Sequence, residues 1–199
     1  MRNSVLKQAW LVLLLAVCFG AALAGVHVAL SPRIDANRRA EVQDSIPMLI
    51  EGAVAEATER TDLGGRRVYK AYDADGEQLG WVIHAIGQGF GGPVELLVGL
   101  DLTAERITGM YVLVQTETPG LGTGITEGDW RGQFSSAPAA DGVKLVKEKP
   151  TQPGEIQAIT GATVSSQSVC DIVNAAVADV RAAIAGGESA AQGAGNDGQ

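Results

Sequence analysis

The chain opens on an almost unbroken apolar run. From Ala9 to Leu30, AWLVLLLAVCFGAALAGVHVAL, no Asp, Glu, Lys or Arg interrupts it. That length suits a membrane-crossing helix of about 20 residues. Trp10 stands at one end, where an interfacial aromatic belongs. Pro32 is expected to end the span. Arg33 to Ile46 then reads as a helix stopped near Pro47, with a second helical piece through Glu59. TDLGGRR, residues 61–67, reads as a turn.

Beyond that turn the pattern becomes strand-like. RVYKAY and LGWVIHAIG flank DADGE, a hairpin connection rich in Asp and Gly. PVELLVGLDL and ITGMYVLVQTE follow, joined at TAER. These four runs predict an antiparallel sheet. Asp129 to Phe134 predicts a short helix, and GVKLVKE is a fifth strand candidate. The last element has the clearest period. Val169, Ile172, Val173, Ala176, Val177, Val180 and Ile184 share one helical face, opposite Asp171, Asn174, Asp179 and Arg181. Gly186-Gly187 is expected to stop this helix and open a disordered polar tail. The predicted class is α+β, an N-terminal transmembrane helix followed by a domain whose antiparallel sheet is packed by helices. The expected layout is an anchor over 1–31, a helical connector over 32–60, a ligand-binding domain over 61–186 and a tail over 187–199.

Composition narrows the function. Net charge is −8, and the first thirty residues contribute only Arg2 and Lys7, so the rest is more acidic still. Nucleic acid, which demands clustered Lys and Arg, is a poor partner for such a body. Cys18 and Cys170 fall in distant elements and predict no disulfide. With His27 and His84 as the two histidines and no CxxC or HExxH spacing, no metal site is expected.

The N-terminus also admits a cleaved signal peptide, with Ala22-Leu23-Ala24 as its processing site. The retained anchor is favoured because the apolar run continues to Leu30. A lipoprotein reading is weaker, since bulky Val17 precedes Cys18. Basic residues flank the span about equally, so charge does not orient it. A short N-terminal tail before a first span commonly stays in the cytoplasm, which puts the body outside the inner membrane.

Two glycine loops hold the candidate chemistry. TETPGLGTG, from Thr116 to Gly124, follows a strand. It lacks the third glycine of a dinucleotide fingerprint and the GK[ST] of a phosphate loop. A type II turn at Pro119-Gly120 is its plain structural reading. Glu117 and Thr118, beside exposed amides, would also suit a planar polar ligand. The second loop, ITGATVSSQSV, leads into the last helix. Its plain reading is an N-terminus capped by Thr163 or Ser165. Free amides at a helix start also stabilise a phosphate, and Gly161 and Ala162 leave room for one. A hydroxyl there could bind a phosphate or be esterified to it. No GxSxG turn accompanies the serines, and a Ser-His triad is not expected.

ITGATVSS resembles the flavinylation motif of the FMN-binding domain family, in which the last threonine of (S/T)GAT carries FMN through a phosphoester. The corresponding residue is Thr163. ETPGLG resembles the same family's second signature, and the order of membrane helix, GQGFGGPVELLVGLD, ETPGLG, WRGQF, TGAT and terminal helix matches over most of residues 1–185. Within the family the chain is similar to G subunits of Rnf (Rsx) ion-translocating electron-transport complexes, with C subunits of Na+-pumping NADH:quinone reductase as runner-up.

The resemblance implies covalent FMN on Thr163, in a site formed by Thr160, Gly161, Ala162 and Ser165 together with Glu117, Thr118, Pro119, Gly120, Leu121 and Gly122. It implies a single-pass inner-membrane flavoprotein on the periplasmic side. Its partners would be other membrane, iron–sulfur and flavin subunits, plus a flavin transferase. The whole complex would be an oxidoreductase and translocase, passing electrons between ferredoxin and NAD. The transferase commonly prefers an acid six residues before the threonine. That position is Gln157 here, with Glu155 nearby. A Glu117 carboxylate beside the flavin ring would resist an anionic reduced form by Coulomb repulsion. Two other classes compete: a membrane-tethered ligand sensor without redox turnover, and a structural assembly subunit with a vestigial motif.

Overall fold

A computed structural model describes residues 2–194. The chain divides into two compact units, 1–41 and 42–199. Helix α1 runs from Arg2 to Leu49. In the first unit it carries the apolar stretch with its side chains exposed, among them Val12, Val17, Phe19 and Leu23. The helix does not end at Pro32 as the sequence suggested, nor at Pro47. Each proline forfeits one ladder bond, yet the helical path continues through both. Beside Pro32, the Ser31 hydroxyl donates to the His27 carbonyl at 2.7 Å.

The second unit is a six-stranded antiparallel meander. Strands β1 (Thr58–Leu63), β2 (Arg66–Tyr72), β3 (Gln78–Gln88), β4 (Pro93–Asp101), β5 (Arg106–Val114) and β6 (Ala137–Pro138) lie in chain order. The four expected runs are β2 to β5. The predicted helical piece through Glu59 is absent: the helix stops at Leu49 and β1 begins at Thr58. Only Gly64 and Gly65 of TDLGGRR form the turn, because the flanking residues pair as strands β1 and β2. The DADGE hairpin forms as expected, with Asp73 Oδ1 accepting from the Asp75 and Glu77 amides at 2.9 and 2.8 Å. Asx geometry of this kind is why Asp favours such turns.

Strand β4 is buried on both faces, which explains its near-continuous apolar run. Leu96, Val98 and Leu100 face a core shared with Val169, Val173, Ala176 and Val180 of helix α3 (Thr163–Ala194). Leu97 faces the other way, into a smaller core with Val42, Ile46, Leu49 and Ile50 from the end of α1. Leu49 fits there because Gly99 and Gly109 lack side chains; a Cβ on Gly99 would lie 3.1 Å from the Leu49 Cβ.

After β5 come a 3-10 turn (Gly122–Thr126) and the short helix α2 (Gly128–Gly132), where a helix was expected. The fifth strand candidate does not join the sheet. Its core, β7 (Lys144–Val146), pairs in parallel with β8 (Glu155–Gln157). Helix α3 passes through Gly186 and Gly187 to Ala194, so the expected stop there does not occur. Two glycines cost about 1 kcal/mol each, too little to end a helix of this length. The last five residues of the expected tail, 195–199, lie outside the described residues.

Candidate functional site

The two glycine loops meet. Thr118 carbonyl accepts from the Leu121 amide at 3.2 Å, and Gly120 has φ +76, the left-handed value a type II turn requires. This turn presents Leu121 outward, 46% exposed. In the second loop, Gly161 has φ +81 and reverses the chain into α3. A Cβ on Gly161 would lie 3.0 Å from Leu121 Cδ2, so the glycine also permits the loops to touch.

Between them lies a cavity of about 310 Å3. Thr118, Leu121, Gly122, Gly161, Ala162, Thr163 and Ser165 line it, all expected site residues. Phe90 and Val164 complete the wall, at 67% and 58% exposed. Neither was predicted. An aromatic isolated among the glycines of GQGFGGP was the available signal for Phe90. Thr160, Glu117 and Pro119 are not part of the wall, and Gly120 faces a neighbouring cleft.

Thr163 is exposed at the start of a long helix. The first ladder bond runs from the Ser166 amide to the Ala162 carbonyl, so the amides of 163–165 precede the ladder. Such amides, at the positive end of the helix dipole, are suited to an anion. The two serines are engaged otherwise. Ser166 Oγ donates to the Ala162 carbonyl at 3.0 Å and accepts from the Ile159 amide at 3.1 Å. Ser165 Oγ donates to Glu117 Oε2 at 2.6 Å across 48 residues of sequence. The expected role of Ser165 as a helix cap is therefore replaced by a bond to the other loop.

Glu117 differs most from its sequence reading. It is 4% exposed, not a solvated acid. Its Oε1 accepts from the Gly91 amide at 3.1 Å, and its own amide donates to Gln115 Oε1 at 2.6 Å. Both carboxylate oxygens thus point into protein.

A larger cleft, about 650 Å3, adjoins Leu121 and is lined by Gly120, Glu127, Asp129, Trp130, Gln133, Lys149 and Gln157. Gln157 is fixed through its backbone: Trp130 Nε1 donates to its carbonyl at 2.8 Å, and its amide donates to Gln133 Oε1 at 2.7 Å. Glu155, two residues before Gln157, is engaged within its own loop. Its Oε2 accepts from the amides of Thr151 and Gln152 at 2.7 and 3.2 Å, which holds its pKa below the ordinary 4.5. Cys170 is on the buried face of α3 itself, where burial pushes its thiol up to about 12, so it stays an unreactive thiol. Among the described residues, no three His, Cys, Asp or Glu side chains gather as a metal site would need.

The site therefore offers two exposed hydroxyls, Thr118 and Thr163, of which Thr163 alone stands at a helix start, a row of free amides, a partly apolar cavity and glycines that bring the walls together. Those features fit a phosphoester-linked aromatic cofactor.

Comparison with known proteins supports FMN as the ligand. Residues 89–178 match the FMN-binding domain family. The chain is 30% identical over 165 residues to the G subunit of the proton-translocating ferredoxin:NAD(+) oxidoreductase complex of Clostridium ljungdahlii, covering 82% of this chain and 85% of that protein. It is 40% identical over 109 residues to the G subunit of the ion-translocating oxidoreductase complex of Methanosarcina acetivorans, covering 55% of each. The chain thus spans about half the length of the Methanosarcina relative and most of the Clostridium one. Its fold is similar to the crystal structures of NqrC from Shewanella oneidensis and of the C subunit of Na(+)-translocating NADH-quinone reductase from Parabacteroides distasonis, each at TM-score 0.50. Identities are 22% and 24%, coverage of this chain is 55% and 57%, and coverage of those chains is 54% and 60%.

Proposed function

We propose that this chain, which belongs to the family of G subunits of ion-translocating oxidoreductase complexes and carries their FMN-binding domain, is a membrane-anchored electron carrier whose FMN is esterified to Thr163. Its complex is of the Rnf type and passes electrons between ferredoxin and NAD with coupled ion transport, the activity named for the Clostridium relative. The partners are the other membrane, iron–sulfur and flavin subunits, and a flavin transferase that loads the chain. The apolar part of α1, long enough to cross a bilayer, anchors it in the inner membrane with the FMN-binding domain on the periplasmic side.

The observation that carries this reading is the convergence of Thr118, Leu121 and Gly122 with Thr163 around one cavity. FMN, when bound, supplies a ring that takes up and releases electrons, and the protein supplies position. Thr163 Oγ1 gives up its proton and holds the phosphoryl group. The donor would have to be a flavin nucleotide joined through a phosphoanhydride to a second phosphate-bearing group. The Thr163 Oγ1–P bond would form as the anhydride P–O bond breaks, and the remainder would leave as a phosphate monoester that takes the proton, with no change of oxidation state. The amides at 163–165 and the dipole of α3 stabilise the phosphate charge. Phe90, Leu121 and Val164 give the cavity apolar wall surface for a flavin ring to pack on. A phosphoester does not dissociate, which suits a carrier outside the cytoplasm. The anchor keeps it near its partners at high effective concentration.

The test is intact mass of the full chain from a host that contains the transferase. An increment of one esterified FMN on the Thr163 peptide is expected. A chain without the increment overturns the reading. The same spectrum shows whether residues 1–24 are retained, as an uncleaved anchor requires.

A further inference from the structure

Five hydroxyl groups fall in the second loop: Thr160, Thr163, Ser165, Ser166 and Ser168. Only Thr163 is both exposed and part of the cavity wall. Thr160 stands before the Gly161 reversal, outside the wall. Ser165 and Ser166 are 4% and 0% exposed. The acid that engages Ser165 is a built feature. Glu117 crosses beneath the first loop through space that side chains would fill. A Cβ on Gly122 would lie 2.7 Å from Glu117 Cβ and 2.9 Å from Ser165 Oγ, and one on Gly89 would collide with Glu117 Oε1. The carboxylate thereby joins three segments: the β3–β4 connection at Gly91, its own loop, and the first turn of α3 at Ser165. Two donors, one to each oxygen, match an ionised carboxylate.

We propose that Glu117 and Ser165 form a positioning pair that makes Thr163 the acceptor of the flavin. The pair pins the first turn of α3, so that Thr163 faces the cavity while the neighbouring serine hydroxyl is held out of competition. Glu117 acts through Ser165, not by touching the flavin. This inference rests on the reading that Thr163 is the attachment residue.

The experiment follows flavin attachment to the full chain over time by intact mass and peptide mapping, in a host with the transferase. Four proteins are compared with the unaltered chain: Glu117→Gln, Ser165→Ala, the double variant, and Ile83→Val as a core change remote from the pair. Gln loses the charge and one acceptor, so that either an amide N–H faces the Gly91 amide or the Ser165 bond must reverse its direction. Each single variant should slow attachment at Thr163 roughly tenfold or more, the scale of one lost charge-assisted hydrogen bond. The double variant should be no slower than the worse single, because a pair acting as a unit is not additive. Exchange of the Ser166 amide, the first in the ladder, should rise in both single variants of the flavin-free chain. Ile83→Val should lower the melting temperature without slowing attachment. If one single variant does not fold, the other carries the test. Unchanged rates in the folded variants, with flavin on Thr163, overturn the pair alone, as does equal slowing in Ile83→Val. Flavin on another residue of the unaltered chain overturns the Thr163 reading and this inference with it.

Discussion

Two hollows share Leu121 as a wall, and they are made differently. The smaller, near 310 Å3, is bounded by segments tied to one another through the buried carboxylate of Glu117, the Ser165 hydroxyl and three close glycine approaches. The larger, near 650 Å3, displays Glu127, Asp129 and Lys149 as exposed side chains. Its internal bonds, from Trp130 and Gln133, are spent on the backbone of Gln157. Size therefore points one way and preorganisation the other. A site that must present one hydroxyl in one orientation needs the fixed walls, and the smaller hollow has them. The larger is a surface whose lining can change without moving Thr163.

The strongest way to break this contrast is to remove one side chain from each hollow. Thr163→Ala should abolish the covalent FMN increment completely. Lys149→Ala should leave it intact. Both variants should melt within about 0.5 kcal/mol of the unaltered chain, as exposed side chains usually do, since the fold of α3 does not depend on a Thr163 cap. Loss of the increment in Lys149→Ala would move the flavin site into the larger cleft.

A pair of glycines sharpens it further. Gly122→Ala inserts a methyl within 3 Å of Glu117 and Ser165. Forced displacement in such packing costs about 1–3 kcal/mol, and the melting temperature should fall by several degrees. Gly128→Ala, beside the larger cleft, meets nothing within 4 Å and lies in α2. It should be neutral or slightly stabilising, because Ala is the better helix former. Equal melting temperatures for the two would show that the smaller hollow is no more rigid than the larger.

The contrast also separates what the sequence reveals from what it hides. The central strands, α3 and both motifs are legible because period and local chemistry specify them. Ile172 to Val180 mark a buried stripe, and Gly120 and Gly161 mark reversals that only a left-handed φ allows. Strand β1 is hidden because TERTDL is an edge strand with little buried surface. Strand β7 shows as the fifth candidate, but β8 is hidden because three residues carry no period, and the parallel pairing of the two spans a loop. Glu117 is misread for a different reason. An acid in a glycine loop looks solvated, and its burial depends on Gly89, Gly91 and Gly122 from two segments. Only the fold shows that those glycines clear one path. The hydrogen bonds of Glu117 to Gly91 and Ser165 add a mechanical role to the charge effect first expected of it.

The smallest expected effect lies at the edge of the larger hollow. Glu155 holds the loop after Pro150 through the amides of Thr151 and Gln152, and the Thr151 hydroxyl adds a third bond at 3.1 Å. These bonds favour the charged form, first the Thr151 amide and then the Gln152 amide, with burial opposing them, so the folded pKa lies below 4.5. A group depressed on folding stabilises the fold above its unfolded pKa, and that contribution is lost as pH falls through the folded value. Melting temperature should therefore decline as the solution is acidified below about 4.5, with part of the slope due to Glu155. Glu155→Gln cannot titrate. It should melt slightly lower at neutral pH and show a shallower acid decline, while FMN attachment at Thr163 stays unchanged. Identical acid slopes would show that the loop bonds add nothing to the fold. A fall in attachment would show instead that this loop is part of what the transferase reads, and would join the two hollows into one functional surface.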